Sequence, residues 1–210
     1  MTKAQDELLL SRLRDGEESA FAQLIDALHS KLVRFARGFV HDEAAAEDVV
    51  QEAWIGVLDG LHAFEGRSSL SSWIFGITAN KAKTRAARDA RTAPFSALAD
   101  REASEVECAV SPNRFLDSSS EWPGHWAQPP ASWGARPEEH LLQTETMNEL
   151  LRITEGLPAA QRAVLFLRDV EGYEPSAVCN ILDLSETNVR VLLHRARSKV
   201  RGALEVYLTR

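Results

Sequence analysis

Cysteine is nearly absent from this chain: its 210 residues include only Cys108 and Cys179. The two form no C-x-x-C pair and have no histidine at metal-ligand spacing, which excludes the usual zinc patterns. A disulfide is not expected in a reducing compartment, and Cys179, between Val178 and Ile181, reads as a small buried residue. Long hydrophobic runs are missing too. No stretch of about 18 apolar residues occurs, so no membrane insertion is expected. Residues Met1 to Leu13 carry Asp6 and Glu7 and lack the basic start, apolar run and small-residue cleavage site of a signal peptide. The expected location is the cytoplasm. A glycine-rich phosphate loop, a metal cluster and a nucleophile paired with a base are all lacking, and the six histidines (29, 41, 62, 125, 140, 194) are scattered. These absences argue against an enzyme, and no cofactor is expected.

What the chain does have is segregated charge. On its face, the net charge of −7 argues against nucleic acid. Yet Lys81, Lys83, Arg85, Arg88 and Arg91 face only Asp89 within one short run. Arg190, Arg195, Arg197, Lys199 and Arg201 form a second basic run with no acid. Between them lies an acidic stretch: Asp100, Glu102, Glu105, Glu107, Asp117, Glu121, Glu138 and Glu139. Two basic helices flanking an acidic middle is a distribution that can serve a polyanion.

Apolar periodicity is helical throughout and no strand signal appears, so the fold class is all-α. Leu9 and Leu13 mark a first short helix. Phe21, Leu24, Ile25 and Leu28, then Leu32, Phe35, Ala36 and Phe39, continue the pattern between Gly16 and Gly38. A helix over about 43–61 would bury Val49, Val50, Ala53, Trp54, Val57 and Leu61. Serines 68, 69, 71 and 72 offer N-caps for a helix carrying Trp73, Ile74 and Ile77 to about Arg91.

From Thr92 to Arg136 the pattern dissolves among Pro94, Pro112, Pro123, Pro129, Pro130 and the following Pro137. This reads as a flexible linker. Its three tryptophans, Trp122, Trp126 and Trp133, suit either loose docking on one of the domains or a segment that orders against a partner. Helix resumes at about Glu138 and runs to Glu155, and Pro158 fits the first position of the next helix. The expected organisation is a helical domain over 1–91, an acidic linker over 92–137 and a second helical domain over 138–210.

Three constellations carry possible chemistry. Pro175 to Arg201 reads as a short helix, a turn at Asp183-Leu184 and a long helix capped by Ser185, which is a helix-turn-helix. In the long helix, Val189, Leu192, Leu193, Ala196 and Val200 share one face, while Arg190, His194, Arg197 and Arg201 share another. Packing on one face and cations on the other is what a DNA-recognition helix requires. Second, Lys81, Arg85, Arg88 and Arg91 form a stripe downstream of Trp73 and Phe75, a combination suited to distorted or single-stranded DNA. Third, Asp48, Gln51 and Glu52 make an acidic helix face that periodicity alone leaves as a solvated surface.

Four blocks stand in order: A-E-D-V-V-Q-E-A-W from Ala46, F-E-G-R-S-S-L-S-S-W-I-F-G-I-T-A-N-K-A-K from Phe64, L-P-A-A-Q-R-A-V-L-F-L-R-D-V-E-G-Y from Leu157 and L-S-E-T-N-V-R-V-L-L-H-R-A-R-S-K-V-R from Leu184. Together they resemble the bacterial extracytoplasmic-function sigma factors of the sigma-70 family. The resemblance covers most of 1–91 and 138–210.

The resemblance implies a transcription initiation factor with no chemistry of its own. Asp48, Gln51 and Glu52 would dock on the clamp helices of the large subunit of core RNA polymerase, with Trp54 packing beneath. The loop Phe64 to Ser72 would capture a flipped-out base of the −10 element, involving Phe64, Arg67, Ser68, Ser69, Trp73 and Asn80. Lys83, Arg85 and Arg88 would touch the DNA backbone there. Glu186, Thr187, Asn188, Arg190, His194, Arg195 and Arg197 would read the −35 element as duplex. The family also implies an anti-sigma factor clamped between the domains. One departure stands out: where the family's first motif helix carries E-I-A, this chain has Ser176-Ala177-Val178-Cys179. The competing reading is a conventional helix-turn-helix regulator that binds duplex DNA without polymerase; it leaves the acidic helix and the 68–91 stripe unused.

Overall fold

The computed structural model describes residues 3–40, 42–90, 94–105, 114–117, 119–120, 127 and 144–208. Among them the structure is helical and has no strand. The N-terminal bundle contains α1 (Lys3–Arg14), α2 (Glu18–Ala36), α3 (Glu43–Gly60) and α4 (Leu70–Ala90). Helix α1 stops at Gly16, whose φ of 77° is open to glycine at no steric cost. The N–H of Glu17 returns to the carbonyl of Arg12 at 3.1 Å. Asp42 caps α3 by accepting from the N–H of Ala45 at 2.7 Å, and Ser69 caps α4 by accepting from Ser72 at 3.1 Å. The face expected of α3 is buried as expected: Val49, Val50, Ala53, Trp54, Val57 and the adjoining Leu61.

The C-terminal bundle contains α6 (Thr144–Glu155), α7 (Ala159–Leu165), α8 (Pro175–Leu182) and α9 (Glu186–Leu208). The start expected near Glu138, the three linker tryptophans, Cys108 and Arg91 lie outside the described residues. Pro158 stands at the cap just before α7 instead of in its first turn, while Pro175 does open α8. A wider π turn, Phe166–Val170, extends α7. No described helix is long and apolar enough to cross a membrane.

Two features were not visible in the sequence. One is helix α5 (Phe95–Ser104), inside the stretch where periodicity fails. It buries only Phe95, Ala99 and Glu102. Its buried positions hold one large apolar side chain, Phe95, beside an alanine and a glutamate, which is too little hydrophobic pattern to detect. The other is that the bundles pack directly on each other and share one continuous core. Phe35 sits at its centre, with ring centroids of Phe39, Phe75 and Phe166 at 5.2, 5.3 and 5.9 Å. Polar clasps surround this seam. Arg162 donates to the carbonyls of Gly38 and Glu155, each at 2.7 Å, and Lys31 pairs with Glu171 at 3.0 Å. Aromatic pairs of the kind around Phe35 contribute about 0.5–1.5 kcal/mol each beyond the area they bury.

Candidate nucleic-acid interface

The acidic face of α3 is built on a locked base. Trp54 is buried, its ring edge-on to Phe21 at 5.7 Å, and its Nε1–H donates to His29 Nδ1 at 3.3 Å. His29 Nε2 lies 3.1 Å from Glu47. Trp54 therefore fixes the helix from beneath, while Asp48, Gln51 and Glu52 are exposed above it. Sequence reasoning missed two neighbours. Ile55 and Leu58 are 60% and 51% exposed, unusual for large aliphatic side chains. At i+7 and i+10 from Asp48 they prolong the same stripe. The missing signal was in the periodicity itself: both fall off the buried face of α3. Lys81 and Arg85 of α4 lie 3.7 Å from Glu52 and Asp48, exposed pairs that a stronger partner can displace.

The second surface lies where the 64–72 loop meets α4. Phe64 and Trp73 stack, centroids 4.8 Å apart. Gly60 makes the stack possible, because a Cβ there would come within 3.0 Å of the Trp73 ring. Phe64, Ser69, Trp73 and Asn80 line a groove of about 960 Å³ whose opposite wall comes from α8 and the residues before it, including Tyr173 and Asn180. Asn80, Arg67 and Ser68 are exposed. Ser69 is committed to its cap, and Ser71 is hydrogen-bonded to the Tyr173 hydroxyl at 2.8 Å. Phe75 belongs to the core and is not a platform.

The basic residues of α4 divide. Arg88 is exposed, and Arg85 is held by Asp89 at 2.9 Å. Lys83 turns inward. Its Nζ donates to the carbonyl of Leu182 at 2.6 Å and sits 5.0 Å above the Phe95 ring. A cation at the last carbonyl of α8 is favourably placed. Burial nonetheless holds the Lys83 pKa below the ordinary lysine value, with Asp183 pulling it back up.

The helix-turn-helix closes through Asp183, which takes the left-handed conformation at φ 55°. Leu184 N–H then reaches the carbonyl of Cys179 at 3.1 Å, and Ser185 caps α9 by accepting from Asn188 N–H at 3.2 Å. Val189, Leu192 and Ala196 are buried. Glu186, Thr187, Arg190, His194 and Arg197 are exposed. Arg190 pairs with Glu186 at 3.0 Å, and Arg197 grips Asp169 through two hydrogen bonds of 2.9 and 2.6 Å. Asn188 and Arg195 are not open to solvent partners in the same way. Asn188 donates to Asp100 at 2.7 Å, and Arg195 donates to the main-chain carbonyls of Glu102 and Glu105. In the first motif helix Ser176 is exposed, Val178 is buried and Cys179 is half-buried, its thiol pKa raised by burial and by Glu186.

An acidic-apolar stripe, an aromatic groove beside a basic helix and a helix-turn-helix thus stand on one chain. Its residues 24–92 match the family model for Sigma-70 region 2, and residues 147–200 match that for Sigma-70, region 4. The chain is 28% identical to the RNA polymerase sigma-H factor of Pseudomonas aeruginosa, over 99% of this chain and 98% of that protein. It is 26% identical to the ECF RNA polymerase sigma-E factor of Escherichia coli, over 98% and 97%. Two solved structures share the fold, each with a TM-score of 0.56. The sigma factor RpoE of Bartonella quintana, in complex with the anti-sigma factor NepR, is 19% identical, covering 89% of this chain and 97% of that one. CnrH, in complex with the cytosolic domain of CnrY, is 20% identical, covering 96% and 97%. With both regions present in order and full-length relatives of one kind, the chain belongs to the extracytoplasmic-function sigma factors of the sigma-70 family.

Proposed function

We propose that this chain is the promoter-selecting subunit of a bacterial RNA polymerase and that its three surfaces divide the work. The observation that carries the reading is the presence of both DNA-facing regions, in order, on a chain that matches its relatives almost end to end. The α3 stripe docks on core polymerase: Asp48, Gln51 and Glu52 supply charge, and Ile55 and Leu58 supply the apolar area that makes such a contact hold. The groove at Phe64, Trp73 and Asn80 receives an unstacked base of the −10 element. Arg88 and Arg85 meet the adjoining phosphates. Helix α9 enters the major groove of the −35 element with Glu186, Thr187, Asn188 and Arg190 leading.

Strand opening on this scheme is a binding event. Unstacking a base costs a few kcal/mol, and stacking in the pocket with phosphate contacts offsets it. The chain itself carries out no bond-making step. One structural neighbour was solved with an anti-sigma factor bound, the other with the cytosolic domain of CnrY bound. An anti-sigma factor is accordingly the expected control partner of this chain.

Run-off transcription with purified core polymerase and a promoter library tests the reading. Promoter-dependent transcripts that disappear with Asp48→Ala/Gln51→Ala/Glu52→Ala support both the function and the docking helix. Absence of transcripts, with tight duplex binding by the chain alone, identifies a conventional regulator instead. For the control partner, affinity capture from the native host under stressed and unstressed growth is decisive: recovery of polymerase alone in both states rules it out.

A further inference from the structure

We propose that α5 is an internal ligand of the recognition helix: it occupies one edge of α9 in the free chain and leaves it when duplex DNA binds. The inference rests on the reading of α9 as a duplex binder.

Helix α5 is fastened at both ends. At its start, Phe95 is 8% exposed, 5.2 Å from the Phe39 ring and beneath the Lys83 ammonium. Toward its end, Glu102 is 6% exposed, and its carboxylate accepts from the N–H groups of Ala160 and Gln161 at 3.4 and 3.1 Å. Those N–H groups open α7, whose own cap residue, Pro158, makes no side-chain cap. Glu102 provides one from a distant part of the chain.

Between the fastenings, α5 offers α9 the groups that DNA would offer. The Asp100 carboxylate accepts from the side-chain amide of Asn188. The carbonyls of Glu102 and Glu105, at the negative end of α5, accept from the Arg195 guanidinium. An anionic oxygen for the amide and a pair of carbonyl acceptors for the guanidinium are what phosphates and guanine edges present.

Helical geometry turns this chemical mimicry into competition. Asn188 and Arg195 are seven residues apart and lie along one edge of α9. Arg190, His194, Arg197 and Arg201 lie along the opposite edge. A helix in a major groove about 12 Å wide meets a phosphate backbone on each edge. Helix α5, about 10–12 Å across with its side chains, stands where one backbone would run. Both cannot occupy that edge at once.

The test uses the full chain and a labelled duplex of random sequence at low salt. Phe95→Ala/Asp100→Ala loosens α5 and spares the Glu102 cap. Affinity is expected to rise by roughly tenfold, the scale of a few released contacts, and the gain is expected to vanish when Arg190→Ala/Arg195→Ala is added. No gain, while Arg190→Ala/Arg197→Ala still weakens the wild type, overturns the proposal and leaves α9 as a duplex reader. Arginine substitutions without effect in either background overturn both readings. Hydrogen exchange on the unsubstituted chain gives an answer independent of how the variants fold. Saturating duplex is expected to speed amide exchange across 95–104 while slowing it across 186–197. Unchanged protection of α5 in the complex overturns the proposal.

Discussion

Glu102 and Gly60 show how much can depend on a single position. Burial raises the Glu102 pKa above the ordinary carboxylate value; the N–H groups of Ala160 and Gln161 pull it down, Glu105 pushes it up and Lys199 pulls it down. Arg162 also feels its charge. Because the folded chain holds this proton more tightly than the unfolded chain, the buried anion costs stability above the folded pKa, and the cost fades as pH falls through it. Glu102→Gln carries no such charge. The stability of the wild type relative to Glu102→Gln should therefore increase from neutral pH into the acid range, as read from urea midpoints at several pH values. Gly60→Ala tests the aromatic stack. Alanine would favour the helix by about 1 kcal/mol, yet its Cβ would press on the Trp73 ring at 3.0 Å. Promoter melting, followed by 2-aminopurine fluorescence in the −10 element, should fall several-fold while duplex binding by α9 is unchanged.

At the scale of elements, legibility followed hydrophobic pattern and capping chemistry. Helices α3, α4, α8 and α9 stand where their apolar periods predict, and α4, α8 and α9 also where their Ser and Pro starts do. Helix α5 was invisible because its third buried position is a glutamate and its second an alanine. The inward turn of Lys83, which stands off the Lys81–Arg85–Arg88–Arg91 stripe, was equally hidden, since nothing in a basic run says which member finds a helix end across the molecule. Ile55 and Leu58 are the converse case: apolar residues whose exposure only the structure shows. Replacing both with serine should weaken competition for core polymerase by about tenfold, reflecting lost buried area of a few kcal/mol at most. Thermal stability should hardly change, because neither side chain is in the core. A drop in melting temperature without a loss of polymerase binding would remove them from the docking face.

For the whole molecule, the seam between the bundles decides what the free chain can do. The −10 and −35 elements, as their names imply, are about 25 base pairs apart, roughly 85 Å along a duplex at 3.4 Å per pair. Here the groove at Trp73 is walled by α8 itself, and the ring of Phe35 touches Phe166. With the −10 element at this groove and the −35 element on α9, as proposed above, the packed arrangement cannot span both. A donor dye on α2 and an acceptor on α9 should accordingly show high energy transfer in the free chain and low transfer in the polymerase–promoter complex. Equal transfer in both states would mean that the bundles stay packed. The sequence pointed to both bundles, but not to their contact, which depends on aromatic side chains that each helix could have buried within its own bundle.

The cap that Glu102 places on α7 also bears on proteolysis. Helices α1 to α5 precede residues 128–143, and α6 to α9 follow them. A single cut within 128–143 would leave Glu102 on one fragment and its partners Ala160 and Gln161 on the other. The Lys83 clasp and the Phe35–Phe166 contact would bridge the same two pieces. A nicked chain should therefore migrate as one particle on a sizing column and fall into two fragments only under denaturing conditions.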